Sequence, residues 1–183
     1  WKDLENESNS FDTAKQYFER SSEQGNQSGF NGIGFYYEKG YGVKQDYSKA
    51  KEYYEKSSKL GNSSSFKNLG NLYYHGKGVE QDYSIAREYY EKSSKLGNSS
   101  ALNNLGNLYE NGKGVDQNYS IAKEYYKKSS ELGNSYALIN LGLLYEKGFG
   151  VKQNYFQAKE YYEKSSKLGN SYALINLGYL YEK

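Results

Sequence analysis

The feature that most constrains this sequence is an interval: a glycine recurs every 36 residues, as from Gly61 to Gly97. Gly133 and Gly169 continue the series, and Gly25 begins it. Two further series keep the same interval. The second glycine series is Gly34, Gly70, Gly106, Gly142 and Gly178, and the valine series is Val43, Val79, Val115 and Val151. A constant interval of this length is typical of repeat proteins, whose units bury their apolar surface by stacking on their neighbours. We therefore predict an array of one repeated unit.

One unit reads as two helices with a turn after each. Helix A spans Ser99 to Glu110, a Gly-x-Gly-Val link follows at 112–115, and helix B spans Tyr119 to Leu132 before a Leu-Gly-Asn turn. The apolar residues of helix A fall on an arc about 120° wide, at Ala101, Leu102, Leu105, Leu108 and Tyr109. Helix B carries a face of small and aromatic residues, at Tyr119, Ala122, Tyr125, Tyr126 and Ser129. Small residues let helices approach closely, and the tyrosine rings fill the gaps.

The ends of the helices are also marked in the sequence. Asp46, Asp82, Asn118 and Asn154 stand just before helix B of their units, and their short side chains can accept hydrogen bonds from the N–H groups of the first turn. Gly61 and its equivalents follow a leucine at the end of helix B, where a left-handed residue commonly ends a helix. These signals predict N-caps and C-terminal turns at the same place in each unit.

The predicted fold is all-α: a right-handed superhelix, or solenoid, of antiparallel helix pairs with a 36-residue repeat. Residues 10–183 are predicted to form the array, which comprises helix B of a first partial repeat, four full repeats and a final helix A. We interpret residues 1–9 as a degenerate N-terminal junction, because Leu4, Asn6 and Glu7 stand where the next unit has glycine, glycine and valine. We expect the chain to be a fragment of a longer array, since it stops directly after a helix A.

The residues from Ala101 to Tyr126 follow the pattern Ala-x-x-x-Leu-Gly-x-x-Tyr-x-x-Gly-x-Gly-Val-x-x-(Asp/Asn)-x-x-x-Ala-x-x-Tyr-Tyr. This pattern resembles the Sel-one-like repeat (SLR), a relative of the tetratricopeptide repeat, and the resemblance covers residues 10–183. One departure is that the small pair late in helix B, usually two alanines in the family, is a serine pair here, as in Ser129-Ser130. Serine preserves the small size. The resemblance implies an α-solenoid that acts as a non-catalytic scaffold or adaptor in protein complexes.

The resemblance also implies an alternative function. Some secreted bacterial members of the family carry a disulfide in each repeat and have been linked to cell-wall fragments or β-lactams. The alternative is therefore a cell-wall- or glycan-related binding or hydrolytic protein. The chain contains no cysteine, which argues against that branch and slightly favours the cytoplasm. Because members of the family occur in the cytosol, the secretory lumen and the bacterial periplasm, the compartment stays open.

A comparison of the units with one another separates positions that packing fixes from positions that vary. Three variable columns of helix A lie at i, i+3 and i+7, on the side away from the buried arc. By resemblance to tetratricopeptide arrays, this side lines the concave groove in which such solenoids bind partners. The middle units present polar residues there, namely Lys67, Asn71, Asn103 and Asn107. The last two units present an apolar strip, namely Tyr136, Ile139, Leu143, Tyr172, Ile175 and Tyr179.

These ten residues are the predicted partner-binding site. A contiguous exposed patch of aromatic and aliphatic side chains usually marks an interaction site, and tyrosine is enriched among the residues that anchor partners. We therefore expect the groove to bind a peptide segment or an amphipathic helix of a protein partner. The alternative is that the strip packs on a further repeat, on a neighbouring chain or on a curled array end, which includes self-association through the ends of the array.

The sequence contains few of the residue types that catalysis and cofactor binding require. His75 is the only histidine, so without cysteine the chain lacks the residues of a Cys–His pair or a multi-histidine metal site. His75 shares a column with Asn111 and Lys147 and is expected to be an exposed loop residue. The Gly-x-Gly links lack the Gly-Lys-Ser/Thr ending of a phosphate loop. A formal charge of +2 without a basic cluster argues against nucleic acid, and no apolar run is long enough to span a bilayer. We expect no catalytic residue, no metal or other cofactor, and no membrane insertion.

Overall fold

The computed structural model describes the backbone of residues 2–182 and the side chains of residues 10–182. In this part of the chain the regular secondary structure is α-helical, and the helices are α1 (Lys2–Glu23), α2 (Gln27–Lys39), α3 (Tyr47–Lys59), α4 (Ser63–His75), α5 (Tyr83–Lys95), α6 (Ser99–Asn111), α7 (Tyr119–Glu131), α8 (Ser135–Lys147), α9 (Tyr155–Lys167) and α10 (Ser171–Tyr181). The even-numbered helices are the predicted A helices, and the odd-numbered ones are the B helices. Trp1 and the side chains of the predicted junction at residues 1–9 lie outside the described residues, while the backbone of residues 2–9 belongs to α1.

The helices form two compact units, residues 1–96 with α1–α5 and residues 97–183 with α6–α10. Within each unit every helix packs on the next one along the chain. Links of seven residues follow the A helices, and links of three residues follow the B helices. Links this short join antiparallel neighbours. The predicted helix pairs with a 36-residue repeat are therefore confirmed, and α4, α6 and α8 begin at Ser63, Ser99 and Ser135.

The helices begin and end where the sequence signals predict. Asp46 Oδ1 accepts a hydrogen bond from Lys49 N at 3.0 Å, and the other three predicted caps make bonds of the same type. These bonds satisfy N–H groups that have no partner within the first turn of a helix. Helices α2, α4, α6 and α8 end on left-handed glycines such as Gly112 (φ 64°), whose N–H donates to Leu108 O. Gly61 is also left-handed (φ 87°), just after α3.

The predicted apolar faces are buried. In α6 the side chains of Ala101, Leu102, Leu105 and Leu108 are at most 9% exposed. In α7, Ala122, Tyr126 and Ser129 are buried, and Tyr119 and Tyr125 are half-buried. Burying one leucine side chain contributes about 1.5–3 kcal/mol to the free energy of unfolding. The same residues repeat in each pair, so each pair adds a similar layer of core.

A tyrosine ring packed on a glycine joins the two helices of each pair. Four tyrosines of the B helices are at most 1% exposed, and each ring lies over a glycine of the preceding A helix. The pairs are Gly34–Tyr54, Gly70–Tyr90, Gly106–Tyr126 and Gly142–Tyr162. A Cβ atom built on Gly70 would lie 2.5 Å from Cε1 of Tyr90, well inside the optimal separation of about 3.5–4.0 Å. The second glycine series therefore makes room for the tyrosine rings.

The serine late in each B helix also joins two helices. Ser129 Oγ donates to Ser99 O at 2.7 Å, and Ser165 Oγ donates to Ser135 O at 2.8 Å. The equivalent serines of the first unit make the same bond. Each bond connects the end of a B helix to the start of the preceding A helix. Serine therefore preserves the size of alanine, as expected, and adds a hydrogen bond that alanine could not make.

Candidate functional site

The predicted apolar strip lies in the second unit, on α8 and α10. Tyr136 and Tyr172 stand in the first turns of these helices and are 56% and 60% exposed, with ring centroids 6.4 Å apart. Further along α10, Tyr179 is 61% exposed and Ile175 is 52% exposed. Three of the predicted tyrosines thus lie exposed on neighbouring A helices. We refer to Tyr136, Leu143, Tyr172 and Tyr179 together as the α8/α10 face.

Ile139 does not contribute to the exposed strip, so the expectation that it faces away from the core is wrong. Its side chain is 8% exposed and belongs to a core cluster with Ala158, Tyr162 and Ala173. Leu143 is half-buried and packs against the same cluster. The reason is that α8 is covered by the next A helix, α10, as well as by the B helix α9. Side chains at the border of the predicted buried arc therefore fall into the seam between successive A helices.

The expectation that the polar residues of the groove face away from the core is also wrong for Asn71 and Asn107, because both form hydrogen bonds with buried tyrosines. Asn71 Oδ1 accepts a hydrogen bond from Tyr90 OH at 2.8 Å in the first unit. Asn107 Oδ1 accepts one from Tyr126 OH at 2.7 Å in the second unit. Both asparagines are half-buried. A buried phenol usually takes a hydrogen-bond partner, and these amides serve that purpose within the fold.

Lys67 and Asn103 share one column in different units, and both are half-buried. Asn103 Oδ1 accepts a hydrogen bond from Asn140 Nδ2 at 3.0 Å, which joins α6 to α8. Burial lowers the pKa of the Lys67 ammonium, and the nearby carboxylate of Glu38 offsets this only in part. These side chains also lie at the seam between A helices, and the prediction that they face away from the core is wrong for them as well.

Two pockets open between α8 and α10. The tyrosine pocket, about 250 Å³, lies at the N-terminal ends of both helices and is lined by Tyr136, Tyr172 and neighbouring polar residues. The carboxylate pocket, about 470 Å³, lies at their C-terminal ends, and its lining residues are Leu143, Glu146, Lys147, Asn176, Tyr179 and Glu182. Helices α8 and α10 run parallel because α9 lies antiparallel between them in sequence. Ten residues of helix separate Tyr136 from Glu146, which is about 15 Å along the axis.

The carboxylate pocket contains a buried glutamate that sequence reasoning missed. Glu146 is 8% exposed, and its Oε2 accepts a hydrogen bond from Tyr162 OH at 2.7 Å. Lys147 Nζ lies 3.7 Å from the other carboxylate oxygen. Burial, together with the hydrogen bond and negative charge of Glu146, raises the pKa of the Tyr162 phenol. The phenol therefore stays protonated and remains a donor to the carboxylate.

The same tyrosine–glutamate pair occurs in other repeats. Tyr54 OH donates to Glu38 Oε2 at 2.7 Å, and the single hydroxyl hydrogen of Tyr126 is shared between Glu110 Oε2 and Asn107 Oδ1. In α4, Tyr74 stands where the other A helices have glutamate, and the buried tyrosine of that pair donates to an asparagine instead. The signal in the sequence is a glutamate column that keeps a fixed distance from the tyrosine column and is interrupted once.

The described residues offer contact surface and a few polar groups. Within residues 10–182, no three or more His, Cys, Asp or Glu side chains are grouped so that they could hold a metal ion. His75 is exposed at the end of α4, with its ring 4.8 Å from the ring of Tyr74. None of the helices in the described part of the chain is long and apolar enough to cross a membrane. The α8/α10 face offers aromatic and aliphatic contacts, and the lining of the carboxylate pocket adds carboxylates and an amide.

Helix pairs that repeat with the same turns, caps and tyrosine-on-glycine contacts define a class, the α-solenoid repeat proteins. The family model described as Sel1 repeat matches residues 8–26, 31–62, 67–98, 99–134, 135–170 and 171–183. The chain belongs to the Sel1 repeat family, so the resemblance read from the sequence is confirmed together with the solenoid fold class. Members of this family are helical repeat scaffolds and typically protein-interaction modules.

Solved structures of similar proteins agree with this assignment. A Sel1 repeat protein from Oxalobacter formigenes is 25% identical with a TM-score of 0.85, and the match covers 92% of this chain and 69% of that one. A protective antigen of uropathogenic Escherichia coli with an SLR fold is 36% identical with a TM-score of 0.76, and the match covers 92% of this chain and 36% of that one. An immunity protein from Pseudomonas aeruginosa is 26% identical with a TM-score of 0.66, over 87% of this chain and 59% of that one. A comparison with curated proteins gave no match.

Proposed function

We propose that this chain is a non-catalytic scaffold that binds a segment of a partner protein, extended or helical, on the α8/α10 face. The observation that carries the proposal is the exposure of Tyr136, which is 56% exposed although the next A helix, α10, is present, and whose ring lies 6.4 Å from that of Tyr172. Grouped aromatic side chains on a surface are typical of interaction sites, where tyrosine combines a large contact area with a polar tip.

Packing within the array does not require these tyrosines. The position of Tyr136 and Tyr172 is occupied by serine in the earlier repeats, at Ser28, Ser64 and Ser100. The position of Tyr179 is occupied by asparagine at Asn71 and Asn107. The repeat therefore folds with small polar residues at both positions. A large aromatic side chain that the fold does not need, such as Tyr136, is available for contact with another molecule.

The size of the face suits a short segment of protein. The two pockets have volumes of about 250 and 470 Å³ and lie about 15 Å apart along the helices. An extended segment of four or five residues spans this distance at about 3.3 Å per residue, and about three turns of helix span it at 5.4 Å per turn. Either form can place one side chain in each pocket.

The test is a selection of random displayed peptides, about twelve residues long, on the immobilised chain, followed by affinity measurement of the enriched peptides. The double variant Tyr136→Ser/Tyr172→Ser should weaken their binding about tenfold or more, because each lost anchor removes more than about 1 kcal/mol. The variant carries residues that other repeats already have, so its helicity should be unchanged in circular dichroism.

The matched control is Phe156→Ser on α9. Phe156 is 72% exposed, and its column holds serine at Ser48, Ser84 and Ser120. It lines neither of the two pockets between α8 and α10, so the control should bind the selected peptides as the original chain does. If no peptide is enriched, or if the tyrosine variant binds as well as the control, the proposal is wrong.

A further inference from the structure

We propose that the tyrosine pocket takes a proline-rich segment of the partner protein in the polyproline II conformation. The inference deepens the proposed function and rests on it, because it names the kind of segment that the α8/α10 face binds. A polyproline II segment is extended, rises about 3.1 Å per residue and makes no hydrogen bonds within itself. Such segments dock in grooves lined by aromatic side chains.

The exposure of the tyrosine pocket is a property of its place in the repeat. Its lining includes Leu168, in the turn before α10, which is 53% exposed. Leu132 holds the same place in the turn before α8 and is also 53% exposed, although α9 and α10 follow α8 in the chain. Tyr136 and Tyr172 agree in the same way, at 56% and 60%. The helix that follows therefore has little effect on how far these side chains are exposed.

The two tyrosine rings form an apolar cleft. The ring centroids of Tyr136 and Tyr172 are 6.4 Å apart, and the ring planes are tilted by 45°. Carbon atoms in contact are about 3.5–4.0 Å apart, so an aliphatic ring at the open edge of this wedge can contact both tyrosines. Proline supplies such a ring, and its fixed φ of about −65° means that little conformational entropy is lost on binding.

The polar groups of the pocket complement a backbone that only accepts hydrogen bonds. Proline has no N–H, and the C=O groups of a polyproline II segment have no partner within the segment. Ser135, Ser171 and both tyrosines line the pocket, and their hydroxyl groups can donate to such oxygens. Ser135 Oγ accepts a hydrogen bond from Asn170 Nδ2 at 3.1 Å, which leaves its own hydrogen to be donated.

The electrostatics of the pocket also favour carbonyl oxygens over charged groups. The N-terminal ends of α8 and α10 lie here, and helix N-termini carry a partial positive charge that attracts the negative end of a C=O dipole. Among the residues that the structure describes, those lining the tyrosine pocket are all uncharged. A proline-rich segment needs no charged partner, so its binding should depend little on salt concentration.

The experiment measures the affinity of a labelled peptide of about twelve prolines and of the displayed peptides enriched on the original chain. We expect proline to be enriched in the selected peptides. We also expect Tyr136→Ser/Tyr172→Ser to bind both kinds of peptide about tenfold or more weakly. Phe156→Ser, which changes a residue outside the pocket, should bind them as the original chain does.

Two further comparisons separate the ring contacts from the hydrogen bonds and one bound conformation from another. Tyr136→Phe/Tyr172→Phe keeps the rings and removes two hydroxyl groups, so it should lose less affinity than the serine variant. Replacing a proline of an enriched peptide by alanine should weaken binding severalfold. A segment that bound as a helix would instead bind more tightly, because proline is strongly unfavourable inside a helix.

Enriched peptides without proline, or tighter binding of the alanine form, would overturn the inference. If such peptides still bound Tyr136→Ser/Tyr172→Ser more weakly than the original chain, the proposed function would stand without it. If no peptide were enriched, or if a chito-oligosaccharide bound at these tyrosines in place of any peptide, both would fall.

Discussion

At the scale of single residues, the fold depends on glycines in the A helices, because the lack of a Cβ atom leaves room for a tyrosine ring. Glycine inside a helix is less favourable than alanine by about 1 kcal/mol, yet Gly70 and its equivalents lie in the middle of the A helices. The ring of Tyr90 occupies the space that a Cβ atom would need. Because full burial of a large apolar side chain contributes about 1.5–3 kcal/mol, the ring contact outweighs the loss of helix propensity.

Gly70→Ala should therefore lower the free energy of unfolding by about 1–3 kcal/mol, because overpacking of a fixed ring exceeds the gain in propensity. The matched control is Gly178→Ala in the same column, where nothing lies within 4 Å of the new Cβ. The control should be neutral or stabilising by up to about 1 kcal/mol. Urea-induced unfolding followed by circular dichroism measures both, and an equal effect of the two substitutions would contradict the explanation.

At the scale of helices, a hydrogen bond from the first serine of each pair joins helices α3, α5, α7 and α9 to the A helix before them. Ser129 is fully buried, and its hydroxyl donates to Ser99 O in another helix. Its neighbour Ser130 is half-buried and donates to Lys127 O in its own helix. The two adjacent serines therefore differ in function: the first joins two helices, and the second bonds only locally.

Ser129→Ala should lower the free energy of unfolding by about 0.5–1.5 kcal/mol, the usual net contribution of one hydrogen bond between neutral groups. Ser130→Ala should change it by less than about 0.5 kcal/mol, because an isolated bond within one helix contributes little and alanine is the better helix former. Thermal unfolding of the two variants side by side gives the comparison. Equal destabilisation would show that the bond between helices is not what distinguishes them.

The sequence predicts helices, turns and caps better than it predicts the site. Asp46 and Gly61 mark helix ends through local chemistry, and the buried stripe of α6 follows from spacing within one helix. Ile139 could not be placed in this way, because spacing gives the direction of a side chain but not which neighbouring helix covers it. The repeated columns of Glu146 and Tyr162 keep a fixed spacing in the sequence. That the two side chains form a hydrogen bond is known only once both helices are in position.

At the scale of the whole molecule, tyrosine dominates the composition, with 24 residues. These tyrosines differ in how far their side chains are buried. Tyr172 and Tyr179 are more than half exposed, whereas Tyr54 and Tyr162 are fully buried. Burial and a neighbouring glutamate raise the pKa of both buried phenols. The stability of the array is therefore coupled to the protonation of side chains that usually titrate only in strongly alkaline solution.

We expect the protein to lose stability as the pH rises through 10.0, the pKa of an ordinary tyrosine, and above it. The folded state stabilises the neutral phenol, so this contribution is complete below the unfolded-state pKa and is lost as the pH rises. Each buried tyrosine then removes about 1.4 kcal/mol per pH unit. Near-ultraviolet phenolate absorbance and far-ultraviolet circular dichroism should show the last tyrosines ionising together with the loss of helix. Complete ionisation with helicity retained would contradict this expectation.

Each helix pair contains its own ring-on-glycine contact, which has a consequence for evolution. Duplication or loss of one 36-residue segment within the gene leaves each remaining contact complete, because the segment brings both its glycine and its tyrosine with it. Array length can therefore change without redesign of the interior. Substitutions at exposed positions such as Tyr136 and Tyr172 can then accumulate while the interior stays constant.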